Sequence, residues 1–207
     1  MNEKNSLNLN ICFKEKDNPF ELFKEWFDEA KKTELNDPNA VALATSDKSG
    51  FNSVRMVLLK EFDDKGFVFY TNLNSAKSLM IKENPKISMC FHWKSLLRQI
   101  RIEGIAEQVA DIEAEKYYST RKYESRIGAW ASNQSSEIPN RNHLLESINN
   151  YKKKYPDENH VPRPRHWSGW RLKPTSIEFW LDGEYRIHER LKYIKVDTYW
   201  KKNLLSP

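Results

Sequence analysis

Apolar and polar positions along this chain follow two periods. Over residues 18–32, NPFELFKEWFDEAKK, the residues Phe20, Phe23, Trp26 and Phe27 recur at helical spacing and predict one buried helix face. Asn18 suits the cap, Pro19 the first turn, and Glu21 completes a capping-box pattern. Strand-like runs follow at AVALAT (40–45), SVRMVLLK (53–60) and GFVFYT (66–71). Asp63-Asp64-Lys65-Gly66 reads as a hairpin turn between the last two. SAKSLMIKEN (75–84) predicts a helix capped by Ser75, and KISMCFHW (86–93) and RQIRIEGIAEQV (98–109) return to strands. Helices are expected from Asp111, around SRIGAWAS, and from about Pro139 to Lys154. Pro156, Pro162 and Pro164 mark an extended link. The chain closes with TSIEFWL, a turn at Asp182-Gly183, and YRIHERLKYIKV.

These strands lack the regular strand-helix alternation of a parallel sheet, so the pattern points to an all-β or α+β (mainly β) barrel. The expected organisation is a loose N-terminal arm over 1–17 and a single domain over 18–207. Composition changes this picture little. The chain has 7 Trp, 9 Tyr and 10 Phe, enough for a core and for aromatic site walls. A formal net charge of +5 suits phosphate-bearing small molecules or nucleic acid, but the longest basic run is KKK at 152–154 and no nucleic-acid motif is present. Cys12 and Cys90 form no CxxC pair, which argues against a disulfide scaffold or zinc site and for a reducing, cytoplasmic setting. No apolar run approaches the ~20 residues that cross a bilayer. The start, MNEKNSLNLN, lacks a signal-peptide core.

Candidate chemistry gathers in a few segments. In GEYRIHER (183–190), read as a strand, Arg186, His188 and Arg190 share one face at about 7 Å spacing. Two such charges repel by about 0.6 kcal/mol in water and about 2.4 kcal/mol at an effective dielectric of 20. An anionic or electron-rich group opposite them would relieve this, and a solvated edge strand is the equal alternative. RMVLLK (55–60) is an apolar strand with a cation at each end. YTNLNSAK (70–77) runs from strand to helix start, where backbone N–H groups and Lys77 favour an anion. On a helix, Tyr117, Arg121 and Ser125 form one stripe of hydroxyl, guanidinium and hydroxyl able to hold a phosphate, or simply an exposed face. Gln99, Gln134 and Ser135 have the polarity to meet the edge of a heterocycle. Trp180 and Arg190 flank a tight turn and are placed to meet on neighbouring strands.

Taken together, RMVLLK, GFVFYTNLNSAK, RQIRIEG, KYYSTR with SRIGAW, NQSS, HWSGWR, IEFW and YRIHER resemble the pyridoxine/pyridoxamine 5′-phosphate oxidases, in that family's order and over nearly the whole chain after residue 36. The resemblance implies a homodimeric FMN-binding split β-barrel with clefts at the subunit interface. It implies FMN contacts from Arg55, Met56, Val57, Leu58, Leu59, Lys60, Tyr70, Thr71, Lys77, Gln99, Gln134, Ser135, Trp180 and Arg190, with Arg55 and Lys77 on the FMN phosphate. Lys60, Tyr117, Arg121 and Ser125 would hold the phosphate of a B6 vitamer, and Arg186 and His188 would face its ring as the catalytic pair. The implied reaction oxidises pyridoxamine or pyridoxine 5′-phosphate to pyridoxal 5′-phosphate with O2 as acceptor, without nucleic-acid or membrane partners. Another substrate on the same flavin fold, or non-catalytic FMN or pyridoxal-phosphate binding, is the alternative.

The chain departs from the family pattern in two places. Ala76 stands where many members carry a second cation beside Lys77. No Arg precedes Arg55 and no Tyr precedes Tyr70, so the N-terminal Arg and Tyr that often fold over the substrate are not found, and Lys14 or Lys16 would have to substitute. Asp37 matches an acidic position near the family site.

Overall fold

The computed structural model describes residues 16–207. Helix α1 (Pro19–Thr33) starts as its sequence predicts, with the Asn18 side chain accepting from Phe20 N. It buries Phe20, Phe23, Trp26 and Phe27. Phe23 lies 4.8 Å from both Phe62 and Phe67, and Trp26 packs edge-on against Phe179 at 5.2 Å. This helix covers one face of a curled antiparallel sheet.

The sheet runs β2 (Asn52–Leu58), β1 (Ala40–Ser46), β5 (Lys86–Trp93), β6 (Arg98–Gln108), β7 (Trp167–Leu181), β4 (Gly66–Asn72) and β3 (Glu61–Asp63). The free edge of β7 forks. Its first part pairs β4 through Leu172, and its second part pairs β8 (Glu189–Val196) from Ser176 onward, with β9 (Tyr199–Leu204) beyond. Pro174 sits at the fork, where neither neighbour needs its missing N–H. Opposite it, the β6 register shifts at Glu103/Gly104. A Cβ on Gly104 would stand 2.0 Å from the Lys173 carbonyl oxygen, so only glycine fits the bulge. The architecture is therefore the expected mainly β half-barrel, with helices α2 (Ala76–Glu83), α3 (Asp111–Ser119), α4 (Tyr123–Ala131) and α5 (Arg141–Lys154) outside it.

The sheet face away from α1 carries a continuous row across six strands: Met56, Ala42, Cys90, Arg101, Glu178 and Lys192. Its β2 end is apolar and uncovered, with Val54 66% and Met56 62% exposed. Its other end is a charge network: Arg101 bridges Glu103 and Glu178, and Glu178 also receives Arg190. No helix among the described residues is long and apolar enough to cross a membrane.

Several expectations need correction. The strand expected over 53–60 ends at Leu58, and the Asp63–Gly66 turn joins β4 to the short β3. The last strand pair is longer than expected: β7 begins at Trp167, and β9 follows β8. Residues 183–190 are not one strand. Tyr185 and Arg186 take left-handed φ of 56° and 65°, Ile187 N closes a tight turn on Glu184 O at 3.0 Å, and pairing resumes only at Glu189. Arg186 and His188 therefore do not share a strand face with Arg190. The helix from Asp111 breaks at 120–122 because the Ser119 and Thr120 hydroxyls bond back to Lys116 O and Tyr117 O, so α4 starts anew. Ser75 holds the cap position of α2, but its hydroxyl donates to Asn72 O at 2.7 Å instead of capping. The expected arm over 1–17 lies outside the described residues except for Lys16 and Asp17; Cys12 and Lys14 fall there too.

Candidate active site

Strand β4 and helix α2 build the first part of the site. Thr71 lies at the end of β4, and Lys77 in the first turn of α2. Lys77 Nζ donates to Thr71 Oγ1 (3.2 Å), Ser75 Oγ (3.3 Å) and Gln134 Oε1 (3.2 Å), all neutral. Burial and the nearby Arg55 charge push its ammonium below the usual lysine range. Arg55, on β2, donates to Leu43 O (3.1 Å), Thr45 Oγ1 (2.7 Å) and Ser53 Oγ. Burial lowers its pKa as well. Two repelling cations thus sit side by side, with no carboxylate partner among the described residues, which leaves their charge available to an anion.

The second part is a cavity of about 330 Å³ whose lining includes Tyr70, Thr71, Arg121, Ser125, Gln134 and Trp167. Arg121 occupies the α3–α4 break, its N–H bonded to Tyr118 O at 3.1 Å. Its Cζ lies 4.6 Å from the centroid of the Trp167 ring. Its NH1 is buried with no hydrogen-bond partner among the described residues, and desolvation lowers its pKa. The rings of Tyr70, Tyr117 and Trp167 are nearly parallel, with Tyr70 4.0 Å from Tyr117 and 5.4 Å from Trp167. A Cβ on Gly169 would come within 2.8 Å of the Tyr70 ring, so this glycine makes room for the stack. The Tyr70 hydroxyl donates to Glu61 at 3.1 Å; burial and then that carboxylate push its pKa well up. The break in the helix thus does not scatter the stripe: Arg121 and Ser125 line one cavity, with Tyr117 stacked on its wall.

Lys60 is exposed beyond β2 and lines a separate 600 Å³ cavity with Phe27, Lys31, Pro38 and Asn39. Glu61 belongs to that second cavity, so the Tyr70–Glu61 bond forms the wall between the two. Asp37 leads into the same region with φ 40°, its carbonyl accepting from Ala40 N at 2.7 Å. Along β2, Met56 and Leu58 face outward, whereas Val57 packs on the core and Leu59 is buried. Ser135 is exposed with φ 73°.

The remaining expected residues stand elsewhere. Gln99, Trp180 and Arg190 lie directly opposite one another across β6, β7 and β8, as expected for the last two. Arg190 is held by Glu178 at 2.8 Å and donates to Ser206 O at 2.9 Å. His188 lies tilted against Trp180 at 4.6 Å, with Nδ1 3.0 Å from an Asp182 carboxylate oxygen and 3.3 Å from Gly183 N. Arg186 is exposed in the preceding turn. Tyr70 is paired with Gly169, eleven positions before Trp180 on β7. At about 3.3 Å per residue this is roughly 35 Å, so one protomer carries the two groups at opposite ends of one strand. Among residues with no earlier role, Thr45, Glu61 and Trp167 now hold Arg55, Tyr70 and Arg121; only the Trp in HWSGWR gave a sequence signal.

Residues 27–155 match the family described as pyridoxamine 5′-phosphate oxidase. Residues 167–207 match the pyridoxine 5′-phosphate oxidase C-terminal dimerisation region. A pyridoxine/pyridoxamine 5′-phosphate oxidase from Pelagibacter ubique is 67% identical over 100% of both chains. One from Allorhizobium ampelinum is 54% identical over 94% of this chain and 95% of its own. Among solved structures, PhzG from Burkholderia lata, in complex with tetrahydrophenazine-1-carboxylic acid, superposes with a TM-score of 0.89 at 30% identity, covering 95% of this chain and 96% of that one.

Proposed function

The chain belongs to the pyridoxamine 5′-phosphate oxidase family, and on that premise we propose that it oxidises pyridoxamine and pyridoxine 5′-phosphate to pyridoxal 5′-phosphate, with FMN as resident cofactor and O2 as acceptor. The observation that carries the reading is the pair of cation sites without carboxylates, Arg55 with Lys77 and Arg121 on Trp167. Two phosphate-bearing molecules, a cofactor and a substrate, answer two such sites. The residues fit FMN: Arg55 and Lys77 would hold its phosphate, with Thr71 and Gln134 beside them. When bound, FMN supplies the hydride acceptor.

The chain's own residues position the reactants. Arg121 and Ser125 hold the substrate phosphate in the cavity, and the Tyr70–Tyr117 stack forms its wall. Lys60, exposed in the neighbouring cavity, would join them only by swinging past the Tyr70–Glu61 wall. His188, oriented by Asp182 and Trp180, and Arg186 face the ring and the carbon that loses hydride. Arg190, fixed on Glu178, would meet the electron-rich edge of a bound FMN.

These two sets become one site only if a second copy supplies the Gln99–Trp180–His188–Arg190 end. The uncovered apolar face on β1 and β2, and the match of 167–207 to a dimerisation region, support a homodimer with shared sites. Purified protein should carry a flavin spectrum that bleaches anaerobically on adding pyridoxamine 5′-phosphate. Protein that takes up no FMN in titration would sink the proposal. Bleaching only by an unphosphorylated reductant would favour a different substrate on the same fold.

A further inference from the structure

We infer that Trp167, locked in place by Arg163, is a positioning residue that aims Arg121 into its cavity as an uncompensated cation. The inference rests on the phosphate-binding role proposed for Arg121. Trp167 is fixed on both backbone sides: its N–H donates to Pro164 O at 2.9 Å, and its carbonyl accepts from Arg163 NH1 at 2.7 Å. Its indole is fixed as well, parallel to Tyr70 at 5.4 Å and edge-on to Tyr118 at 5.1 Å. The Arg121 guanidinium lies over this plate, so a long side chain is ordered before any ligand arrives.

The same arrangement removes competing carboxylates. Helix α3, which ends just before Arg121, carries Asp111, Glu113 and Glu115. Arg163 takes Asp111 at 2.7 Å and Glu115 at 3.1 Å, and Arg171 takes Glu113 at 2.6 Å. None of these acids contacts Arg121, whose buried NH1 has no hydrogen-bond partner among the described residues. An aromatic platform adds attraction for the cation without neutralising it, as a carboxylate would. Arg163 therefore serves Arg121 twice, by anchoring the plate and by occupying two of the helix's acids.

The test compares Trp167→Leu, Trp167→Phe and Arg163→Met with the parent holoprotein. Readouts are FMN content, kcat and KM for pyridoxamine 5′-phosphate, and binding of inorganic phosphate by calorimetry. For Trp167→Leu we expect KM to rise and phosphate affinity to fall by about tenfold each, or about 1.4 kcal/mol. The change in kcat should stay under about threefold and FMN content should hold. Trp167→Phe, which keeps a ring, should recover most of the loss, and Arg163→Met should shift phosphate affinity the same way as the Leu variant. Unchanged phosphate affinity in Trp167→Leu overturns the inference. So does a joint fall of KM performance, kcat and flavin content with no rescue by Phe. If Trp167→Leu does not fold, the Phe and Met variants decide alone, and parental phosphate affinity in both overturns it. If the parent turns over no phosphorylated vitamer yet binds phosphate in a Trp167-dependent way, the inference stands and the proposed reaction falls.

Discussion

In the proposed site, Lys77 trades stability for phosphate binding. Its folded-state pKa lies below the unfolded value, because burial and Arg55 disfavour the charged form. The unfolded chain therefore binds the proton more tightly, and the penalty is fully present at neutral pH, easing only as pH rises through the lowered pKa toward 10.5. Lys77→Met should raise the melting temperature of FMN-free protein by about 2 °C. The same change should weaken FMN binding by at least about tenfold, measured by flavin titration, because a charge-assisted phosphate contact is lost. Unchanged FMN affinity would remove Lys77 from the phosphate site. Asp28 gives the opposite sign. Hydrogen bonds from Lys24 and Lys31 lower its pKa to about 2, so its contribution is present above the ordinary value of 3.8 and is lost as pH falls toward 2. Because Asp28 is well exposed, Asp28→Asn should cost less than about 0.5 kcal/mol at pH 7 in chemical denaturation.

At the scale of elements, β7 decides both the fold and the fit of the site. Gly104→Ala puts a Cβ 2.0 Å from a backbone oxygen that cannot move alone, and should destabilise the protein by about 3 kcal/mol or more in denaturant melts. Gly169→Ala presses instead on the Tyr70 ring at 2.8 Å, and should cost about 1–3 kcal/mol and lower FMN retention by tilting the stack. The core helix and six strands were legible because one buried face imposes a clear period, as in α1 and in the alternation of β5 and β6. The first part of β7 was not, because Pro174 argues against a strand unless one knows that it falls in the gap between β4 and β8, paired only with Gly104 of β6. The 183–187 turn was hidden for another reason: Tyr185 and Arg186 take left-handed backbone without being Gly or Asn, so an alternating run of cations imitates a strand. At the α3–α4 break, Ser119 and Thr120 were the available signal.

For the whole molecule, the family was legible through eight motifs in order, but the distribution of the candidate site residues was not. Periodicity says which face a side chain takes; it does not say that Gln99 and Trp180 lie roughly 35 Å along β7 from the level of Tyr70. A shared site makes a direct prediction. Arg121→Leu and Arg186→Leu should each be nearly inactive alone, yet refolding them together should restore about a quarter of parental activity. Half of the randomly paired dimers are mixed, and each mixed dimer has one intact site and one doubly altered one. No recovery in verified mixed dimers would place both residues in the same protomer's site. The span of β7 also has a cellular meaning. When catalysis needs two chains to meet, turnover per chain is a thermometer of concentration: far below the association midpoint, halving the amount of protein nearly halves the specific rate as well, so scarcity switches the enzyme off faster than it depletes it.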